Sequence, residues 1–600
     1  MRPIGATIER DDAAVRHHVT TPDGVRIAVY EEGNPDGETV LLLHGWPDSH
    51  RLWDSVAPLL RDRYRLIRVD NRGHGRSSSP SGRQAISTRR IADDYAAVIA
   101  HVADKPVHII AHDWGSVSTW ELITRPPEQA RVASFTSISG PSMGHFAAWA
   151  RRRLLRPSPA NVGHVVAALA SFAYSIVLSV PVLSTLLLRY GVSAGRWRRQ
   201  QAAAEGIAPE RIHLGETFEH DVVDGARIYR STLTSRHTNP LTARPLPTRV
   251  PVQVLIGKRD PAIRYRSYAD VPRWTGDLWL RLVHGGHWLP FSHPELVAQA
   301  AEELIESVRT GTEPRSLRRW RVGTDRRPFA DQLVVVTGAG SGIGRATAHA
   351  FAGAGAEVVV SDIDPAASAE TAELIGRAGG VAYAYRLDVS DPASVDEHAR
   401  EVIAEHGVPD VLVNNAGIGH AGAFLQTPAA DFDRVLQVNL QGVIGMCRAF
   451  AGAMSERGLG GQIVNLASMA AYSPQREFSA YSTSKSAVFM FSDCLRAELA
   501  RSGVGVTTVC PGVVHTNITA TTRFSGVSDE EEHRLQQHFD ALYRRRGYTP
   551  DKVAERILRA VLAGETIVPV TPEAVVQYHF SRFAPKLTRL AAARMSLLDR

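Results

Sequence analysis

Lysine is scarce in this chain: positions 105, 258, 485, 552 and 586 hold all five, while lysine and arginine together number 68 in 600 residues. A lysine that survives such a bias toward arginine has a raised chance of being chemically required. Cysteine is scarcer still. Cys447, Cys494 and Cys510 are odd in number and lack metal-ligand spacing, which argues against a disulfide framework, gives no metal site and points to a reducing compartment. No apolar core segment follows the first basic residue between Met1 and Asp12, so no signal peptide is expected and the cytoplasm is the expected location. The formal net charge of +6 comes from scattered arginine, with no nucleic-acid module and no aromatic-interleaved basic face, so nucleic acid is not an expected partner. Its local clusters, Arg151-Arg152-Arg153, Arg196 to Arg199 and Arg315 to Arg327, suit either an anionic membrane surface or a solvated face.

What is present is enough apolar sequence for more than one core. With 44% hydrophobic and 22% charged residues the composition is that of a globular chain, and 600 residues exceed what one core supports. The uncharged run from Val165 to Leu188 has the length of a membrane span. Pro181 and the serines at 171, 175, 179 and 184 weaken that reading, and an apolar lid in peripheral contact with a membrane interface is expected instead.

In the first half, short apolar runs lead repeatedly into motif-bearing loops. Thr39 to Leu43 enters His44-Gly45-Trp46-Pro47-Asp48-Ser49, Tyr64 to Val69 enters Asp70-Asn71-Arg72-Gly73-His74-Gly75, and Val107 to Ala111 enters His112-Asp113-Trp114-Gly115-Ser116 before a helical stretch. Strands alternating with helices predict a mainly parallel α/β sheet, with ligands at the strands' carboxyl ends. The turn at 111–115 resembles the nucleophile elbow of the α/β-hydrolase fold, with Asp113 in place of the usual serine. A carboxylate nucleophile attacks an sp3 carbon and leaves an alkyl ester, which a histidine-activated water must hydrolyse. Asp260, in Gly257-Lys258-Arg259-Asp260, and His287, in Gly285-Gly286-His287-Trp288, follow in the order that this chemistry needs.

Residues 20–310 thus resemble the epoxide hydrolase and haloalkane dehalogenase branch of that fold. Trp46-Pro47, where dehalogenases usually place asparagine after His-Gly, favours the epoxide hydrolases. The resemblance implies two cap tyrosines that protonate the departing alkoxide, for which Tyr174 and Tyr229 are the candidates, and an oxyanion hole from the backbone of Trp46 and Trp114. The cap is expected between residues 143 and 244 of a hydrolase spanning 1–309, with a basic linker at 310–328.

The second half, 329–600, opens with Leu333 to Val336 and then Thr337-Gly338-Ala339-Gly340-Ser341-Gly342-Ile343-Gly344, a Gly-rich loop between a strand and a helix that suits a dinucleotide pyrophosphate. Asp362, about twenty residues on, suits the ribose 2′-OH and favours NAD over NADP. This half resembles the short-chain dehydrogenase/reductase family, with a doubly wound parallel Rossmann sheet. Asp388-Val389 matches its adenine contact and Asn414-Asn415-Ala416-Gly417 the strand that steadies its central sheet. Asn439, Ser468, Tyr481 and Lys485 match its catalytic residues, and Pro511-Gly512-Val513-Val514-His515-Thr516 its nicotinamide loop. Tyr481 and Lys485, at i and i+4, share a helix face, so the ammonium is expected to lower the phenol pKa.

The pairing resembles actinobacterial fusions of an epoxide hydrolase with a short-chain dehydrogenase, of the epoxide hydrolase D type. It implies a bifunctional enzyme acting on a long-chain lipid-like small molecule, and a homo-oligomer formed through the dehydrogenase. The alternatives are a dehalogenase-like first half, or a dehydrogenase carrying a non-catalytic lipid-binding module. The apolar and basic stretch from Phe580 to Arg600 suits a neighbour, the active site or lipid equally.

Overall fold

Leucine and β-branched runs become the strands of two separate sheets. The computed structural model describes residues 17–82, 84–235, 243–323, 326–516 and 518–594. The N-terminal segment at 1–12, cap residues 236–242, residues 324–325 of the expected linker and the last six residues therefore lie outside the described residues. The chain divides into a unit over Met1–Thr324 and a unit over Asp325–Arg600.

The first unit has an eight-stranded sheet: β1 (His17–Thr20), β2 (Arg26–Gly33), β3 (Thr39–Leu43), β4 (Arg65–Val69), β5 (Val107–His112), β6 (Val132–Ile138), β7 (Val252–Gly257) and β8 (Leu278–Val283), in the order β1-β2-β4-β3-β5-β6-β7-β8. From β4 to β8 every pairing is parallel, and β1 and β2 run antiparallel. Val40 to Leu43 have no exposed surface, as parallel strands covered on both faces require. The cap lies between β6 and β7, as a helical segment running from Met143–Leu154 to Arg227–Thr234. The apolar run 165–188 is not one helix: it is divided among Pro159–Ser171, Tyr174–Leu178 and Pro181–Gly191.

The expected linker needs correction. Residues 314–322 are built into the first unit: Leu317 is fully buried, with Trp279 and Leu304 in its cluster and Trp320 packed against them. The N–H of Leu280 donates to the carbonyl of Trp320, and that of Val322 to Leu278. The many arginines of this stretch obscured the apolar residues that anchor it.

The second unit carries β9 (Leu333–Thr337), β10 (Glu357–Asp362), β11 (Val381–Arg386), β12 (Val411–Asn414), β13 (His420–Gly422), β14 (Gly461–Leu466), β15 (Val504–Cys510), β16 (Arg523–Ser525) and β17 (Ile567–Pro569). Seven form a parallel sheet in the order β11-β10-β9-β12-β14-β15-β17, while β13 and β16 pair separately. Apolar clusters cover the sheet through alternate residues, Val334 and Val336 in one, Leu333 and Val335 in the other. The strand order reverses beside β9, which is where such sheets open a ligand crevice.

Candidate active sites

In the first unit, buried polar contacts fix the loops before any reactive group is placed. The Asp70 carboxylate accepts hydrogen bonds from the Tyr30 hydroxyl and from the backbone N–H groups of His50 and Arg76. Asn71 donates from its side chain to the carbonyl of His44 and receives the Tyr95 hydroxyl at 2.7 Å, which ties the loop after β4 to the loop after β3.

Asp113 follows β5 and starts the helix Asp113–Ile123 with φ of 48°. A non-glycine residue in this left-handed region costs about 1–3 kcal/mol and persists only where its surroundings enforce it. Gly45 supplies part of that enclosure, since a Cβ there would lie 2.4 Å from Asp113 Oδ2. The Trp46 N–H donates to Asp113 Oδ2 at 3.0 Å. Burial raises the carboxyl pKa of Asp113, opposed by His287 and by the N–H groups of Trp114 and Trp46. Both tryptophans therefore present backbone donors to Asp113.

His287 follows β8. Its Nδ1 lies 2.9 Å from Asp260 Oδ2 and its Nε2 lies 3.7 Å from Asp113 Oδ1. Because a carboxylate only accepts, Nδ1 carries the proton in that bond. Asp260 follows β7, and its other oxygen takes the N–H groups of Ala262 and Ile263 at 2.8 and 2.9 Å. Burial disfavours the imidazolium, but Asp260 first and Asp113 next outweigh it and carry His287 up to about 9.

The cap delivers both candidate tyrosines. Tyr229 is buried, and its ring stands edge-on to Trp46 at 5.3 Å and to Trp114 at 5.1 Å. The Tyr174 ring lies 5.7 Å from that of Tyr229. Burial, together with the charge of Asp113, raises both phenols and keeps them protonated.

Two further carboxylates bear on this site. Glu205, at the end of the cap helix Ala194–Glu205, accepts the Gly286 N–H at 3.1 Å and the Trp288 N–H at 2.9 Å, on either side of His287. Asp48, inside the first motif, accepts the Trp288 indole N–H at 3.0 Å. Burial pushes Asp48 up to about 7, against the Trp288 hydrogen bond and helped by Asp113.

In the second unit the Gly-rich loop leads from β9 into the helix Gly342–Gly353. Only glycine fits at 344, where a Cβ would meet the Gly338 carbonyl at 2.1 Å. The Asn415 amide donates to the carbonyls of Thr337 and Gly338, both at 3.0 Å, and so holds the loop's entry. Asp362, at the end of β10, accepts the Gly340 N–H at 2.8 Å. Arg345 is bonded to Glu370 at 2.6 Å and to the Gly340 carbonyl.

One cleft of about 1250 Å³ is lined by Gly338, Ser341, Gly342, Ile343, Asp362, Asp388, Val389, Asn415, Ala416, Gly417, Ser468, Tyr481, Lys485, Pro511, Gly512, Val514 and Thr516. Of the expected site residues, Gly344 and Asn439 stand behind this wall. A glycine-rich loop at a helix N-terminus, with an acidic residue one strand away, fits a dinucleotide cofactor. Asn439 lies in a π-helical turn at Gln437–Gln441, where its side chain accepts the Ile418 N–H at 2.8 Å and donates to the Ile418 carbonyl at 3.0 Å. A Cβ on Gly417 would lie 3.1 Å from Asn439 Oδ1 and 3.5 Å from Lys485 Nζ, so one backbone position separates the two groups.

The expected lowering of the Tyr481 pKa needs correction. Burial pushes the phenol up to about 12, with the Ser468 hydroxyl opposing it. The Lys485 ammonium donates to the Leu466 carbonyl at 2.9 Å and lies 5.8 Å from the centre of the Tyr481 ring. Burial carries Lys485 down to about 8. Sharing a helix face brings the two side chains near each other, but burial is the largest influence on both groups.

Residues 38–294 match the alpha/beta hydrolase fold family and residues 332–525 the short chain dehydrogenase family. A Mycobacterium tuberculosis protein named "Probable oxidoreductase EphD" is 49% identical over 580 residues, spanning 96% of this chain and 98% of that protein. The 2-(R)-hydroxypropyl-CoM dehydrogenase of Xanthobacter autotrophicus is 36% identical over 196 residues, 31% of this chain and 76% of its own length. A short chain dehydrogenase/reductase from Burkholderia phymatum, solved in complex with NAD, aligns with 46% of this chain and all of its own at 28% identity and a TM-score of 0.40.

Proposed function

Since the chain belongs to the family of fusions that join an α/β hydrolase to a short chain dehydrogenase, we propose that its first unit opens epoxides to vicinal diols and its second oxidises an alcohol, or reduces a carbonyl, with NAD(H). The observation that carries the hydrolase reading is the placement of Asp113 at the elbow, between two backbone donors and 3.7 Å from His287. Asp113 attacks an epoxide carbon, the C–O bond breaks, and Tyr174 or Tyr229 gives its proton to the departing oxygen. Water, deprotonated by His287, then attacks the ester carbonyl. The resulting oxyanion is held by the N–H groups of Trp46 and Trp114 until the ester C–O bond breaks; the departing oxygen takes the remaining proton of the added water, which releases the diol, and the His287 imidazolium returns its proton to the tyrosinate.

In the second unit a bound nicotinamide supplies hydride transfer. The chain's own groups manage the proton and the orientation: Tyr481 exchanges it with the substrate oxygen, Ser468 holds that oxygen, and Lys485 and Asn439 connect the phenol to the interior. Asp362 beside the Gly-rich loop supports NAD over NADP, and Arg345 is already engaged by Glu370. The relative that acts on 2-(R)-hydroxypropyl-CoM takes a secondary alcohol by its name, the chemical class to which a vicinal diol from a terminal epoxide belongs. The apolar cap supports a long-chain, lipid-like substrate.

The test incubates purified protein with a long-chain epoxide, with an alkyl halide, and with a secondary alcohol plus NAD. Diol is expected from the first and NADH from the third. Asp113→Ala is expected to abolish diol formation alone, and Tyr481→Phe NADH formation alone. Halide released without diol overturns the epoxide assignment.

A further inference from the structure

We infer that the cap of the first unit docks on an anionic lipid bilayer through the helices Pro159–Ser171, Tyr174–Leu178 and Pro181–Gly191. The last of these helices is turned inside out. Val182, Leu183, Leu186, Leu187 and Tyr190 recur at the spacing of one helical face and are all exposed, Val182 by 71% and Tyr190 by 79%, while Ser184 and Leu188 are buried. Ile176 is 64% exposed and Val166 58%, which extends the apolar face over the neighbouring helices. Soluble proteins rarely present a contiguous patch of this kind without an occupant.

Charge selects the occupant. Residues 143–204 contain eight arginines and no aspartate or glutamate. Arg189 is exposed in the last turn of the apolar helix, Arg196 and Arg199 are exposed beyond it, and Arg156 is exposed before the three helices. The loop after Asp260 adds two more guanidiniums, since Arg264 donates to Ser171 at 3.0 Å and Arg266 meets His164. Of the acidic groups around this region, Asp270 is paired with Arg152 and Arg153, and Glu219 is exposed on the helix Phe218–Gly225, which packs against Pro181–Gly191. An apolar face rimmed by arginine matches a bilayer's acyl boundary below anionic headgroups.

The surface lies on the membrane rather than crossing it. The segment Pro159–Leu178 has the length and hydropathy of a span, but the three helices are 13, 5 and 11 residues long, against about 20 for one that spans. The same short helix that exposes Ile176 carries Tyr174, whose phenol senses the charge of Asp113. The Tyr174 ring also lies 5.7 Å from that of Tyr229, so the docking face and the candidate hydrolase site share this helix; that an apolar substrate would enter from the bilayer side rests on the proposed function.

Flotation of the full chain with vesicles tests this. The protein is expected to float with phosphatidylglycerol/phosphatidylcholine vesicles, to float at least tenfold less with phosphatidylcholine alone, and to be released near 1 M salt, where the Debye length is about 3 Å. The double variant Val182→Asp/Leu186→Asp and, separately, Arg189→Glu/Arg199→Glu are each expected to lose at least tenfold in vesicle binding, with circular dichroism and dehydrogenase turnover unchanged. A wild-type chain that stays unbound with anionic vesicles overturns the proposal. So does a dimer that these substitutions dissociate in a protein that ignores vesicles, which would assign the face to a second copy.

Discussion

The carboxylate of Glu205 grips the peptide on both sides of His287, one oxygen on the Gly286 N–H and the other on the Trp288 N–H. A cap helix thus fixes the backbone from which His287 projects. Hydrogen bonds to a charged group are worth about 1.5–3 kcal/mol each. Glu205→Gln, which leaves one acceptor oxygen, is therefore expected to lower diol formation about tenfold, with dehydrogenase turnover unchanged. Because Glu205 also helps to raise His287, the pH profile of diol formation is expected to shift to lower pH. An unmoved profile would leave Glu205 a merely structural contact.

His287 titrates upward, to about 9, through Asp260 and Asp113 against burial. Its folded pKa lies above the free value of 6.5, so its stabilising charge pairing is complete below about pH 6.5 and fades as pH rises through about 9. In the proposed reaction, ester formation would remove the charge of Asp113, lower the imidazole pKa and free His287 to take a proton from water. Asp113→Ala is expected to reproduce that drop in an NMR titration of labelled histidine. A His287 pKa unchanged by the substitution would break this coupling between the two half-reactions.

Tyr229→Phe is expected to slow epoxide opening about 100-fold, in the range for loss of a positioned proton donor, and Tyr174→Phe less, because Tyr229 is the more deeply enclosed. Single-turnover kinetics separate the steps: ester formation slows, while hydrolysis of ester already formed keeps its rate. Equal slowing of both steps would place the tyrosines outside the proton transfer.

Lys485→Arg is expected to abolish dehydrogenase turnover and leave diol formation intact. The lysine amine fits between the Leu466 carbonyl and the backbone of Gly417, whereas a guanidinium is planar, larger and does not deprotonate. Retained turnover in that variant would show that charge alone suffices.

Asp362→Ser is expected to raise use of NADP relative to NAD, measured as the ratio of kcat/KM values, because in the proposed binding mode it would remove the carboxylate that repels a 2′-phosphate. An unchanged ratio would move cofactor selection to another residue.

Much of both sites was legible because the chemistry is local in sequence. Asp113, Asp260 and His287 each follow a strand, with glycines close by in the motifs around Asp113 and His287, and Tyr481 and Lys485 are one helical turn apart. Glu205 had no such mark, since its partners are 81 and 83 residues away and the segment around it is an ordinary arginine-rich helix. Asp48 stood in a quoted motif, yet its protonation depends on burial that no spacing reveals. The Tyr481 pKa was misread for the same reason: a spacing specifies proximity and says nothing about desolvation. The outward apolar face of Pro181–Gly191 was visible only as hydrophobicity, because its direction is a tertiary fact.

The stretch 314–322 has a further consequence. β8 is the last strand of its sheet, and by pairing with it residues 320–322 occupy backbone groups that a neighbouring molecule would otherwise recruit. A bare terminal strand templates strand addition and aggregation. A hydrolase cut after residue 309 is thus left with an adhesive border, and the smallest well-behaved fragment extends through Val322.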